Sequence, residues 1–208
     1  MVIIVQKQLK KMKSIKIPKI KYQDITIPDI EINRGELYRI ELGISHNKLR
    51  KKLSQLLENE CKKLEVATVK DLKITYKLKY LFKSKTVYDY LKQQGIEEES
   101  IQNFIQSCKN NQLNKISERT ILSKLPEQEL RLIKFFALLN YDKRIFIETS
   151  GMYLPLLVIT YEIIKDFLNN GGIVIELAYP HFDKTNNLKW HATKKLKSVQ
   201  IGEMKIIA

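Results

Sequence analysis

Acidic residues are scarce in this chain: 23 Asp and Glu stand against 37 Lys and Arg, a net charge of +14. The excess cations repel one another unless solvent or a polyanion screens them. Cysteine is nearly absent. The two present, Cys61 and Cys108, lack CxxC spacing, which argues against metal-thiolate and dithiol redox chemistry. Seven glycines and five prolines among 208 residues are too few for a fibrous or disordered chain. The three histidines, His46, His181 and His191, have no metal-ligand spacing, no Ser-His-Asp arrangement can be argued, and no GxGxxG fingerprint is present. No metal or cofactor is therefore expected. Long apolar runs are missing too, since the stretch from Leu154 to Ile164 is broken by Thr160 and Glu162 and falls short of the roughly 18 to 20 residues of a membrane span. The opening MVIIVQKQLKKMK places its apolar run ahead of its lysines, the reverse of a secretory signal. A cytoplasmic protein without membrane insertion is the expectation.

What the sequence does have is a hydrophobic share of 44%, enough for one sizeable core. A single domain over 1–208 is expected, with a helical subdomain at about 86–122 and a basic N-terminal arm over 1–24. The charge is concentrated at the ends. Lys7, Lys10, Lys11, Lys13, Lys16, Lys19 and Lys21 precede the first acid, Asp24, while Lys184, Lys189, Lys194, Lys195, Lys197 and Lys205 face only Asp183 and Glu203. Such runs are either solvated faces of a lysine-rich protein or contacts to a phosphate backbone.

Periodicity sketches the elements. KIKYQDITIPDIEI and ELYRIEL alternate as strands do, with Asn33-Arg34-Gly35 as the turn between them, which predicts an antiparallel start. After Gly43, Leu49, Leu53, Leu56, Leu57 and Leu64 recur at helical spacing. VATVKDLKITYKL reads as a strand region, followed by helices in TVYDYLKQQG, EEESIQNFIQSCKNN and from Glu127 to Leu139. KRIFIETSG and GIVIELAYP are buried strands flanking the helix LLVITYEIIKDFLNN, which implies a parallel βαβ unit. The tail SVQIGEMKII suggests a hairpin around Gly202.

This order resembles the ABC ATPases along nearly the whole chain, and among them the C-terminal nucleotide-binding domain of the ABC-E ribosome-recycling family. The resemblance rests on the strand pair in KIPKIKYQDITIPDIEINRGELYRIELGISHNKLRKKL, the Gly35-Glu36 turn, Ile74-Thr75-Tyr76-Lys77, and Arg131 with the helix after it. It implies an α/β fold: an ABC nucleotide-binding-domain-like mixed sheet flanked by helices, with a helical side lobe.

The family's motif positions are altered. A phosphate loop needs glycines so that backbone N–H groups converge on phosphates, a lysine to neutralise them, and a hydroxyl for magnesium. Here the loop begins at Gly43 and reads GISHNKLRK, so the lysine position falls on Leu49 and the paired hydroxyls on Arg50 and Lys51. A one-residue shift recovers Lys48 only. Basic side chains at His46, Lys48 and Arg50 leave open a nonstandard phosphate site. The Q-loop glutamine position holds Lys79, and Leu125, Pro126 and Glu127 replace the signature serine and glycines. The Walker-B carboxylates fall on Glu148 and Thr149, with Leu154-Pro155 at the D-loop; an alternative register makes Glu148 the catalytic carboxylate and puts Ile147 at the magnesium aspartate. At the H-loop Tyr179 takes the histidine's place, with His181 two residues later.

The expectation from these substitutions is a pseudo-ATPase with a degenerate Walker A loop, not an enzyme, that binds ribosomal or other RNA. Lys7, Lys10, Lys11, Lys13, Lys16, Lys48, Arg50, Lys51, Lys52, Lys194, Lys195 and Lys197 would supply the contacts, with Tyr80, Phe82 or Trp190 stacking on bases. The alternative is a catalytically dead partner of an active ABC ATPase, or of a larger assembly, joined through the family's dimer face.

Overall fold

The computed structural model describes residues 14–23, 25–42, 47–68, 84–149, 151–178 and 196–201. Contacts divide the chain into two compact units: the first takes 1–67, 143–150 and 166–208, the second 68–142 and 151–165.

The first unit opens with short strands β1 (Ser14–Ile17), β2 (Ile20–Tyr22), β3 (Ile25–Ile27) and β4 (Ile30–Asn33). β1 pairs with β4 and β2 with β3, both antiparallel. Six of the seven isoleucines in these strands are buried, Ile15, Ile17, Ile20, Ile27, Ile30 and Ile32, while Lys16, Lys19 and Lys21 face out. Within the basic arm expected over 1–24, Ser14–Ile17 and Ile20–Tyr22 are strands, and residues 1–13 lie outside the described part. Lys16 does not lack a carboxylate partner: Glu31, across the β1–β4 ladder, lies 3.7 Å from its Nζ.

The antiparallel start ends at Asn33. β5 (Leu37–Leu42) does not fold back on β4; it enters a sheet ordered β6-β7-β8-β5-β9, with β6 at Ala67–Thr68, β7 at Arg144–Glu148, β8 at Ile173–Ala178 and β9 at Leu196–Ile201. The pairs β7–β8, β8–β5 and β5–β9 are all parallel. Gly35 makes the redirection possible, with φ +77° and its N–H donating to the Gly172 carbonyl at 2.8 Å. β9 pairs with β5, which settles the first half of the expected tail hairpin as a parallel strand; Gly202 lies outside the described residues.

Helix α1 (Asn47–Lys63) buries Leu53, Leu57 and Cys61, spaced four residues apart, against Ile40, Phe146, Ile175 and Leu177 of the sheet. Its last turn carries Lys62 and Lys63, which suit the negative helix end, but its first turn has no acid.

The second unit is helical: α2 (Val87–Gln93), α3 (Glu98–Asn110), a 3₁₀ turn (Leu122–Lys124), α4 (Glu127–Leu138) and α5 (Leu154–Asn169) up to Lys165. It extends beyond the expected 86–122. Thr86 starts α2 with a capping box, its hydroxyl accepting from the Asp89 N–H while Asp89 accepts from the Thr86 N–H. α3 lacks a side-chain cap, and Glu98 and Glu99 in its first turn complement the helix dipole instead.

Candidate functional site

Open parallel sheets bind ligands outside the carboxyl ends of their strands. In the first unit β7, β8 and β5 end together, with Glu148 level with Leu177 and Glu41 level with Ala178. Side chains alternate between the sheet faces. Ile175 and Leu177 belong to the cluster that contains Leu53, Leu57 and Cys61 of α1, so Glu148 shares the α1 face. There the Ser54 hydroxyl of α1 donates to Glu148 Oε2 at 3.3 Å. Glu148 is half-buried and Ser54 buried.

Thr149 and Glu176 face the other way. Glu176, with 0% exposure, accepts from the Thr149 hydroxyl at 2.6 Å and from Arg39 Nε at 2.9 Å. Arg39 is the register partner of Glu176 and also approaches Glu41 at 3.7 Å. The Thr149 N–H donates to the Leu177 carbonyl, so both backbone and side chain of Thr149 are tied to β8. The residue after the strand is thereby held on the sheet, and Glu148 before it is presented towards α1.

Of the sequence-predicted positions, these strand ends bring together Glu148 and Thr149, on opposite faces. Leu49 and Arg50 lie in the first turn of α1, whose side chains there are not described, as does Lys48. Lys51 and Lys52 follow and are exposed. Leu125 ends the 3₁₀ turn of the second unit, half-buried. Lys197 sits on β9. Gly43, His46, Lys79, Tyr80, Phe82, Tyr179, His181, Trp190, Lys194 and Lys195 are outside the described residues, as are Lys7, Lys10, Lys11 and Lys13.

Sequence reading passed over Ser54, Arg39 and Glu176. The signal for Glu176 was available: one carboxylate in the otherwise apolar strand GIVIELA has to find a buried cation. Chemically, the Ser54 hydroxyl and Glu148 carboxylate are hard oxygen ligands of the type magnesium takes, together with substrate phosphates and water. Among the described residues, no group of three or more His, Cys, Asp or Glu could hold a metal by itself.

No family model and no curated protein matches the chain. Solved structures do. The ATP-binding subunit cbiO1 from Clostridium perfringens, part of the ABC transporter complex cbiONQ, superposes with a TM-score of 0.51 at 14% identity, over 94% of this chain and 86% of its own. An ATP-binding cassette of an ABC transporter in its ADP conformation gives 0.50 at 12% identity, over 92% and 90%. The archaeal ribosome recycling factor aABCE1, solved with the archaeal ribosomal stalk protein aP1, gives 0.49 at 14% identity, and this chain spans 34% of its length. Identities this low fix the fold and nothing finer. That fold is the ABC nucleotide-binding-domain fold, a parallel sheet flanked by helices, as the sequence pattern implied.

The likeness also corrects one expectation. The chain was expected not to be an enzyme because its motif residues are replaced; the structures it matches are ATP-binding cassettes, and the fold is an ATPase fold. Loss of the motifs was inferred from residue types at aligned positions, whereas in the structure a carboxylate and a hydroxyl, Glu148 and Ser54, meet beside α1. No described helix is long and apolar enough to cross a membrane.

Proposed function

We propose that this ABC-fold domain binds RNA, with ribosomal RNA as its partner and a cytoplasmic setting. The observation that carries the reading is the net charge of +14 on a fold most of whose described lysines stand at the surface, Lys85 being buried. Lys19, Lys21, Lys51 and Lys52 are exposed, and the first turn of α1 has no acid to balance Lys48, Arg50, Lys51 and Lys52. Cations gathered at a helix N-terminus oppose the helix dipole, a cost that bound phosphates would reverse. Lysines at positions 7, 10, 11, 13, 194, 195 and 197 add to the positive charge of the sequence. The resemblance of the sequence to the ABC-E family supplies the ribosome as the source of phosphates.

Co-sedimentation with ribosomal subunits at low and high salt tests this. The protein should pellet with subunits at low salt and be released steeply as salt rises, because each neutralised phosphate returns condensed counterions. Failure to pellet at low salt, or binding indifferent to salt, would sink the reading.

A second reading has its own observation. Leu154, at the D-loop position, is 48% exposed and Tyr153 beside it 41%. An ABC-type partner subunit meeting the chain there would cover them. Apolar contact of that kind should persist in high salt, which separates it from RNA binding.

A further inference from the structure

The second unit carries a groove of about 190 Å³ lined by Ile105, Lys109, Ser117, Glu118 and Arg119. It lies where α3 ends and the following loop returns. The loop is held firmly: Ser117 N–H donates to Thr120 Oγ1 at 3.2 Å, the Thr120 hydroxyl donates to the Lys115 carbonyl at 2.8 Å, and the Val87 and Tyr88 N–H groups donate to the Thr120 and Glu118 carbonyls. Leu113 and Ile116 anchor it in the core. The groove is therefore a built shape rather than a gap beside a loose loop.

Its charges are unspent. Lys109 and Arg119 are exposed, and among the described residues neither forms an ion pair, although Glu118 adjoins Arg119 in the chain. Two cations flanking one shallow, open depression, without a carboxylate clamped between them, give it a positive surface that attracts anions. Two cations and one carboxylate leave the lining with one net positive charge. That matches a phosphodiester, which carries a single negative charge, better than a phosphomonoester, which carries about −1.5 to −2. The volume points the same way. At about 190 Å³ the groove falls below the roughly 300 Å³ at which pockets begin to enclose whole small molecules, so it takes a group on a larger ligand. Arg119 offers a planar fork for phosphate oxygens, Lys109 a point charge, Ser117 a hydroxyl, and Ile105 an apolar floor for a sugar face.

We propose that this groove is a phosphate-binding site that seats one ribose-phosphate unit of an RNA strand. This rests on the RNA reading above and adds a place for the contact that sequence charge runs do not reveal.

The test uses the full chain and fluorescein-labelled oligouridine, read by anisotropy across a salt series. The double variant Lys109→Ser/Arg119→Ser removes the groove's cations; Lys63→Ser/Lys92→Ser removes the same charge from lysines already paired with Glu60 and Glu98. If both groove cations contact phosphate, the groove variant should bind roughly tenfold more weakly and flatten the log–log salt slope by about 1.4, with the control close to wild type. Equal losses in the two doubles would overturn the groove while leaving RNA binding in place. Uridine 5′-monophosphate at equal phosphate concentration should not compete; if it does, the site belongs to free phosphomonoesters and the RNA assignment falls. If the wild-type chain binds no oligouridine at all, the function proposed above fails. The groove is then decided by titrating dimethyl phosphate, a singly charged phosphodiester, against the Ser117 and Arg119 amide resonances: shifts that vanish in the groove variant keep it as a phosphodiester site, and their absence overturns it.

Discussion

A carboxylate with no solvent contact in the middle of a parallel sheet, such as Glu176, is tolerated only when its oxygens are occupied. Thr149 takes one oxygen and Arg39 the other. Removing one member leaves its partner buried and unmatched, so Glu176→Ala should cost roughly 3 to 5 kcal/mol in a urea melt. Replacing both charges, Arg39→Met with Glu176→Leu, should recover most of that, since a well-packed apolar pair removes the desolvation penalty as well as the attraction. A single variant as stable as wild type would mean that the pair is not sealed from water. The thiols give a second test at this scale. Burial pushes Cys61 and Cys108 from 9.0 up to about 12, with Glu58 and Glu60 adding to the effect at Cys61. A raised pKa means the folded state prefers the neutral thiol, so this stability is complete below the ordinary value and is lost as pH rises from about 9 towards about 12. Neither thiol should react with a disulfide reagent at neutral pH before the protein unfolds, and melting temperature should decline across that alkaline window. Rapid labelling of the native protein would contradict the burial. Glu148 was legible in the sequence because the resemblance to the ABC ATPases puts a Walker-B carboxylate there. Arg39 was not, because ELYRIEL gives it the look of an outward residue on an exposed face, and only the neighbouring strand turns that face into interior.

At the scale of elements, local signals decide where helices and strands begin, and distant pairing decides what they join. The capping box at Thr86 is a local signal, with hydroxyl and carboxylate each satisfying a backbone N–H of the other residue. Thr86→Ala should therefore cost about 1 kcal/mol, measured by denaturant melting, and Thr86→Ser should restore most of it. No effect from the alanine would show that tertiary contacts alone hold α2. Helix-to-strand turns are more exacting. A side chain at Gly172 would bring its Cβ to 2.2 Å from the Phe167 ring, closer than any real contact. Gly172→Ala should destabilise by roughly 1 to 3 kcal/mol through forced repacking, and Phe167→Leu should relieve part of that penalty in the double variant. The order strand, helix, strand in the second half of the chain was readable because apolar runs and the Gly171-Gly172 stop are sequence-local features. The partner of β5 was not readable. The turn at Asn33-Arg34-Gly35 has hairpin composition, and a hairpin was the expectation, yet β5 finds β8 and β9, strands more than a hundred residues away that bury both of its edges. Composition names a turn; the hydrogen-bonding demand of a central strand selects where the chain goes afterwards.

For the molecule as a whole, charge is the property that fold comparison leaves open. Solved structures with this fold establish the sheet and helices, while the surplus of fourteen positive charges is a property of the sequence and not of the fold. Lys16 has an acid across the β1–β4 ladder, whereas the lysines before it have none near them in sequence. Lys16 sits on β1 opposite Glu31, so part of its charge is answered within the fold, and exposed pairs of that kind contribute little to stability. Lys10, Lys11 and Lys13 precede β1 and have no acid near them in sequence. If the chain binds RNA, the unanswered group should carry more of the affinity than Lys16. Lys10→Ser, Lys11→Ser and Lys13→Ser together should weaken RNA binding and flatten the log–log salt slope by about two units, taking roughly 0.7 per contact on a single strand. Lys16→Ser alone should change the slope by much less than one contact, because Glu31 is left as an uncompensated acid but no phosphate contact is lost. Far-ultraviolet circular dichroism should be unchanged in Lys16→Ser, since Lys16 is exposed, and recording it for the triple variant separates loss of binding from loss of fold. A triple variant with unchanged affinity and slope would make these lysines a solvated face, and binding would then have to be sought in Lys51, Lys52 and the groove at Arg119, or abandoned in favour of a protein partner.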